Sequence, residues 1–227
     1  MGRKVAVIHT TLVTCQGIDS RLKRLIPDAE IMNIVDDSLL NDVKKAGGLT
    51  KEVTKRLMSY AFAAEDWGAE LILNACSSIG EGVNLIRPFL EIPYLKIDEP
   101  MARIAVEDGS RIAVYGTVAT TLEPSARLIR QTAFGLKKDV AVDTFLAKEA
   151  FEALTVEKNQ EKHNQILEKL IRETEEDYDV LVLAQASMSV LLPHLIDIRK
   201  PILSSMDSGV QAVKTALDGD CKVNGKG

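Results

Sequence analysis

Residues 4–11 read KVAVIHTT, and residues 111–118 read RIAVYGTV, an offset of 107. Further along, Ala69 to Ser77 (AELILNACS) matches Tyr178 to Ala186 (YDVLVLAQA) at an offset of 109, and Pro93 matches Pro201 at 108. A drift of two residues across a whole half is the signature of an internal duplication. At the position where the two copies should carry the same side chain, one has Cys76 and the other Gln185.

Eight apolar runs recur along the chain: Lys4 to His9, Ala29 to Val35, Leu71 to Ala75, Tyr94 to Ile97, Arg111 to Tyr115, Val140 to Phe145, Val180 to Ala184 and Ile202 to Ser204. Short, nearly continuous runs suit strands covered on both faces of a parallel sheet. Helical patterns lie between them. Thr50 to Trp67 opens on a capping threonine, spaces Val53, Leu57, Tyr60 and Ala61 along one face and stops at Gly68. Thr155 to Tyr178 reads as one charged helix with Ile166, Leu167, Leu170 and Ile171 as its buried stripe, and His163 as solvated surface. The expected fold is α/β: two similar lobes with parallel sheets flanked by helices, related by a pseudo-twofold axis. Residues 1–96 plus 201–227 form the first lobe and residues 97–200 the second. Ligands of such sheets sit beyond the carboxyl ends of strands, where helix N-termini offer free amides, so facing lobes would pool those ends into one cleft.

With 227 residues, 46% hydrophobic and 27% charged, the chain has the composition of a soluble globular enzyme. A net charge of −5 without a basic stripe argues against nucleic acid as a partner. No apolar run reaches bilayer length, and the opening residues read as a buried strand and not as a signal peptide, so the expectation is a cytoplasmic protein with no membrane partner. Cys15, Cys76 and Cys221 make no disulfide framework, and no Cys/His spacing suits a metal.

Three segments carry chemistry. Asn74-Ala75-Cys76-Ser77-Ser78 ends a buried strand and opens a helix, which places the thiol at the positive end of a helix dipole, where its pKa should fall. Ser77 and Ser78 can cap that helix or donate to an anion. Leu183-Ala184-Gln185-Ala186-Ser187-Met188 is its counterpart; an amide so placed needs polar partners but cannot take a proton at neutral pH. Gly116-Thr117-Val118-Ala119-Thr120-Thr121 follows a strand and could hold a carboxylate with hydroxyls and amides, as could His9-Thr10-Thr11 in the first half, where Thr10 matches Thr117. Each feature also has a plain reading: a cysteine filling a strand end, a glutamine bracing a loop. Cys15 reads as packing beneath the helix that contains Ile18 and Leu22, with entry into the site as the alternative. His9 and His194 read as hydrogen-bonded scaffolding.

Together these residues resemble the aspartate/glutamate/hydantoin racemase superfamily. NACSS is similar to its first cysteine motif and GTVATT to its hydroxyl-rich, carboxylate-binding turn. LAQASM is similar to the second motif, LGCAGM in the hydantoin racemase branch, with Gln185 in place of the cysteine. Asp207 to Val213 (DSGVQAV) resembles the helix opening near the family's C-terminus. The resemblance implies a cofactor-independent enzyme, without metal, acting on a small carboxylate held between the lobes; it allows a homo-oligomer. It makes Cys76 the catalytic residue and places Thr10, Thr11, Asn74, Ser77, Ser78, Thr117, Thr120, Thr121, Gln185, Ala186 and Ser187 around the substrate.

Two-base racemisation needs a proton acceptor on one face of the α-carbon and a donor on the other, and glutamine is neither. One cysteine could still protonate an enolate, as in the arylmalonate decarboxylase branch, or attack a carbon, as in maleate isomerase. The arylmalonate branch keeps the second cysteine and lacks the first, the mirror of this chain. The competing expectation is a two-lobed protein that binds a small anion without transforming it.

Overall fold

Every one of the eight apolar runs is a strand, and every strand pairs in parallel. In the computed structural model, which describes residues 2–219, the chain runs β1 (Lys4–His9), α1 (Cys15–Leu25), β2 (Glu30–Val35), α2 (Asp37–Ala46), α3 (Lys51–Asp66), β3 (Leu71–Asn74), α4 (Gly80–Ile86) and β4 (Tyr94–Lys96). It continues with α5 (Glu99–Asp108), β5 (Arg111–Gly116), α6 (Ala119–Leu136), β6 (Ala141–Leu146), α7 (Lys148–Thr155), α8 (Gln160–Thr174), β7 (Val180–Leu183), β8 (Ile202–Ser204) and α9 (Ser205–Leu217). Cys221 lies outside the described residues.

The strands form two four-stranded sheets with the same order, β2-β1-β3-β4 and β6-β5-β7-β8. The chain makes two compact units: Asp98–Ser205 is one, and the described residues on either side of it are the other. The second boundary falls at Ser205 rather than at 200, because Ile202–Ser204 pairs with Leu181–Leu183 as the fourth strand of the second sheet. From Met206 onward the chain belongs to the first unit. There Asp207 meets Arg21 of α1 at 2.7 Å.

Sequence character follows strand position. The central strands β3 and β7 are buried along their whole length, as apolar strands covered on both faces must be. The edge strands β2 (EIMNIV) and β6 (AVDTFL) mix polar with apolar residues and are only partly covered. In the first unit Leu39, Val43, Val53, Leu57, Ala61, Ile79 and Val83 pack over Ala6, Ile8 and Ile72. In the second, Leu122, Ala126 and Ile129 lie with Ile112 and Val114 in one cluster. Ala150, Leu167, Ile171 and Leu191 lie with Ala113, Tyr115, Leu181 and Leu183 in another.

The duplication is visible in hydrogen bonds. Ala75 N–H donates to the Ile8 carbonyl as Ala184 N–H does to Tyr115, and Ile72 to Pro93 as Leu181 does to Pro201. A carboxylate guards the start of each first strand: Glu70 accepts from Lys4 N–H at 3.1 Å, and Asp179 from Arg111 N–H at 2.8 Å.

Helix ends follow their capping residues. Thr50 Oγ1 accepts from Val53 N–H at 3.2 Å, and Gly68, past the end of α3, takes φ 86°. The charged stretch after β6 divides differently from the expected single helix. Lys158 adopts φ 55°, Asn159 Oδ1 caps by accepting from Lys162 N–H at 2.9 Å, and α8 ends at Thr174. This start puts His163 four residues before Leu167, on the inward stripe with Leu167 and Ile171. His163 is therefore buried and not solvated, with Nδ1 near the Gln160 and Asn164 amides.

Two glycines test this packing. A Cβ at Gly209 in α9 would lie 2.5 Å from the Ile97 carbonyl oxygen, whereas one at Gly135 in α6 meets nothing within 4 Å. Gly209→Ala should lose about 1–3 kcal/mol through overpacking against backbone, and Gly135→Ala should be neutral or gain up to about 1 kcal/mol. Urea denaturation of both variants checks this; equal stabilities would contradict the α9 placement.

Candidate active site

In each sheet the strand order reverses between the first and third strands of the unit, β1 and β3 or β5 and β7. The crevice beyond the carboxyl ends at such a reversal is where open α/β sheets bind ligands. Thr10 follows β1 and Cys76 lies just past β3; Thr117 follows β5 and Gln185 lies just past β7. Each unit thus brings one threonine and one variable side chain to its own switch point.

On the first switch point the chain leaves β3 in extended conformation at Cys76 (φ −136°, ψ 115°), makes a single 3₁₀ turn at Ser77–Ile79 and enters α4. The turn folds donors back on the sulfur. The hydroxyls of Thr10 and Ser78 and the backbone N–H groups of Ser78 and Ile79 face Cys76 Sγ and favour its thiolate, and Ile79 N–H also donates to the Cys76 carbonyl at 3.3 Å. Asn74 braces the turn by donating from Nδ2 to the Cys76 carbonyl at 2.8 Å, while its buried Oδ1 has no partner. Thr10, Asn74, Ser77 and Ser78 are buried, whereas Cys76 itself keeps partial exposure.

Burial pushes the Cys76 thiol up, the four donors pull it down, and the net result lies above the ordinary thiol value. The lowered pKa expected from the helix start is therefore corrected. Withdrawing sulfur from water costs the thiolate more than the donors return, and only one short turn separates Cys76 from a helix of seven residues.

On the second switch point Gln185 takes the same extended conformation (φ −114°, ψ 131°) before a 3₁₀ segment. Its Oε1 accepts from Thr117 N–H at 2.7 Å and from Thr117 Oγ1 at 2.9 Å. A backbone N–H can only donate, which fixes the amide's orientation with oxygen inward on Thr117 and the NH₂ turned away. Thr10 thus treats Cys76 as Thr117 treats Gln185: the strand-end hydroxyl donates to the side chain past the neighbouring strand.

The remaining candidates divide. Thr11 Oγ1 accepts from Val13 N–H at 3.2 Å and caps a local turn. Thr120, in the first turn of α6, has a buried Oγ1 without a partner, and no side chain caps that helix. Thr121 lies beside it in the same turn, partly buried. Ala186 is buried and Ser187 partly so, at the start of the 3₁₀ segment after Gln185. Cys15 opens α1 and donates to the Thr11 carbonyl at 3.6 Å; burial, then the charge of Asp19, raises its pKa. His194 is exposed, and its carbonyl accepts from Arg172.

Polar residues beyond the expected set also gather at the first switch point. Lys96 closes β4 almost fully buried, with its aliphatic stem over Gly80. A lysine inside the apolar run YLKI was the signal available for it. His9, at the end of β1, is fully buried. Among the described residues no three His, Cys, Asp or Glu side chains group as metal ligands would.

Solved structures with this fold include an aspartate racemase from Picrophilus torridus, with a TM-score of 0.72 at 13% identity, covering 96% of this chain and 95% of that one. A glutamate racemase isoform from Bacillus anthracis gives 0.71 at 18% identity, covering 96% and 82%. Allantoin racemase from Klebsiella pneumoniae gives 0.68 at 21% identity, covering 96% and 89%. At these identities the likeness is one of fold. No curated protein sequence matches the chain significantly. The family model described as Asp/Glu/Hydantoin racemase matches residues 5–213, nearly the whole chain, and on that match the protein belongs to the Asp/Glu/hydantoin racemase family of isomerases.

Proposed function

We propose that this family member is a cofactor-independent enzyme that works with one thiol. It transfers a proton on one face of the carbon next to a carboxylate or carbonyl of a small acid, and does not racemise by two bases. The observation that carries this is the pair of Thr117 hydrogen bonds to Gln185 Oε1. They commit the oxygen of the amide at the second-thiol position to Thr117, which leaves for the substrate the NH₂, a group that donates hydrogen bonds but cannot relay a proton.

The surroundings of Cys76 suit an acid. A thiol held above its ordinary pKa by burial is protonated at neutral pH and ready to deliver its proton to the α-carbon of the enediolate left when a neighbouring carboxyl group departs as carbon dioxide, its C–C bonding pair staying on that carbon. As the S–H bond breaks, negative charge appears on sulfur, and the donors from Thr10, Ser78 and Ile79 are already aimed at it. The thiol is restored from water. The Thr120 hydroxyl, buried without a partner at the start of α6, suits the substrate carboxylate, with Thr11, Asn74, Ser77, Ser78, Thr117, Thr121, Ala186 and Ser187 as further substrate-binding residues and Gln185 orienting the substrate.

The sign of the pH dependence follows. A group needed in its protonated form and titrating above the ordinary thiol range supports turnover throughout the neutral range, and turnover falls only as pH rises through that raised value. An alkaline limb at or below the range of an unperturbed cysteine, about 8.5, would contradict the acid role; the rate profile at saturating substrate checks this.

Substitution gives the decisive comparison. Cys76→Ala should abolish turnover with the fold intact by circular dichroism. Retained binding of small acids with no turnover in the wild-type protein either would favour the anion-binding alternative. In deuterated water the wild-type product should carry label of a single configuration, with carbon dioxide release marking decarboxylation. Gln185→Cys should add exchange and inversion at the same carbon, because Thr117 is positioned to donate to a sulfur there. Racemisation by the wild-type protein would overturn the one-thiol scheme.

A further inference from the structure

The turn that carries Thr10 is held by polar contacts, among them the Thr11 cap and the Cys15 contact with the Thr11 carbonyl. Leu12 and Val13, at its tip, are 76% and 77% exposed, so no apolar packing fixes them. What closes the turn is a polar clasp between its ends: His9 Nδ1 lies 3.0 Å from Thr14 Oγ1. Thr14 occupies the N-cap position of α1, yet its side chain makes no capping hydrogen bond. Its backbone is already helical (φ −87°, ψ −18°), at the end of a 3₁₀ turn over Leu12–Thr14 that Thr11 caps, so its hydroxyl faces His9 without giving up a cap.

The far side of the ring fixes which nitrogen carries the proton. Asn33 Nδ2 donates to both Asp19 carboxylate oxygens, at 3.0 and 2.9 Å, which turns Asn33 Oδ1 toward His9 Nε2 at 2.8 Å. A carbonyl oxygen only accepts, so Nε2 bears the hydrogen. Burial lowers the pKa of His9, opposed by Asn33 and by the charge of Asp19, and the ring is neutral at neutral pH. Nδ1 is then a bare acceptor, and the Thr14 hydroxyl donates to it.

The duplication supplies an internal control. The counterpart of His9 is Gly116, at the offset of 107 that also pairs Thr10 with Thr117. A Cβ at Gly116 would meet Leu122 side-chain atoms at 3.2 and 3.3 Å and Gln185 Oε1 at 3.7 Å. The second unit passes from β5 to α6 within two residues and has no comparable turn to clasp. The relay thus occurs in the unit that carries the thiol and is missing from the unit that carries the amide.

We propose that His9 is a positioning residue for Cys76: as the Nε2-protonated neutral ring it clasps Thr14, and the closed turn holds the Thr10 hydroxyl on the sulfur. The role of the sulfur in turnover comes from the one-thiol reading above, but the coupling from His9 to the thiol can be measured without substrate.

Two measurements test it. Nitrogen-15 NMR of the wild-type protein should show His9 Nε2 protonated, Nδ1 bare and the ring neutral at pH 7; an Nδ1-protonated or charged ring would overturn the proposal. The second is the pH midpoint of iodoacetamide labelling at Cys76, read by mass spectrometry of its peptide. Thr10→Val removes the donor and should raise the midpoint by about one pH unit, a roughly tenfold loss of thiolate at fixed pH. Thr14→Val is nearly isosteric and sacrifices no cap; it should move the midpoint the same way, by about threefold in thiolate, as should His9→Leu. A Cys76 midpoint unchanged in Thr14→Val, whether or not Thr10→Val moves it, sinks the proposal. Loss of turnover in Cys76→Ala is a separate result, so the clasp and the one-thiol chemistry can fail independently.

Discussion

A single hydrogen bond, made twice, organises both halves of this protein: a threonine leaving the first strand donates to the side chain that follows the third. It exists because parallel strands in the order second-first-third-fourth leave a gap where neighbouring connections diverge, and the chain ends beside that gap are short of partners. Thr10 and Thr117 are buried there, so their hydroxyls must find acceptors close at hand. A sulfur satisfies one and an amide oxygen the other. The chemistry of each half is decided by what stands at the receiving end of that bond.

The receiving group also decides what burial does. The Thr117 contact is complete at 2.7 and 2.9 Å and involves no proton that can leave, so enclosure only makes Gln185 more rigid. Around Cys76 enclosure acts on the charged form, which the hydroxyl and amide donors only partly sustain. In that balance the thiol stays protonated at neutral pH. Burial, more than helix polarity, sets its state, and for this reason a dipole argument from the sequence pointed in the wrong direction.

The eight strands were legible because parallel sheets demand continuous apolar runs, and the duplication because strand ends and turns such as HTT and GTV kept their register. Thr50 and Gly68 announced α3 through local chemistry alone. The charged stretch from Thr155 misled because its composition favours helix throughout, while the break depends on Lys158 entering the left-handed region and Asn159 capping, which periodicity does not report. His163 looked solvated because its neighbours in sequence are charged; its neighbours at four-residue spacing are Leu167 and Ile171. The His9–Asn33–Asp19 relay was illegible for another reason: it joins residues far apart in sequence, across two strands and a helix whose alignment only the folded chain reveals.

Gly116 marks where the two halves part. Its missing side chain is not spare room, for Leu122 and the oxygen of Gln185 have closed around it. A histidine at that position would press on Leu122, and a thiol placed at 185 would find no clasped turn behind it. The two halves share a strand order but not their strand-end surroundings, so a side chain exchanged between them would arrive without the neighbours that suit it.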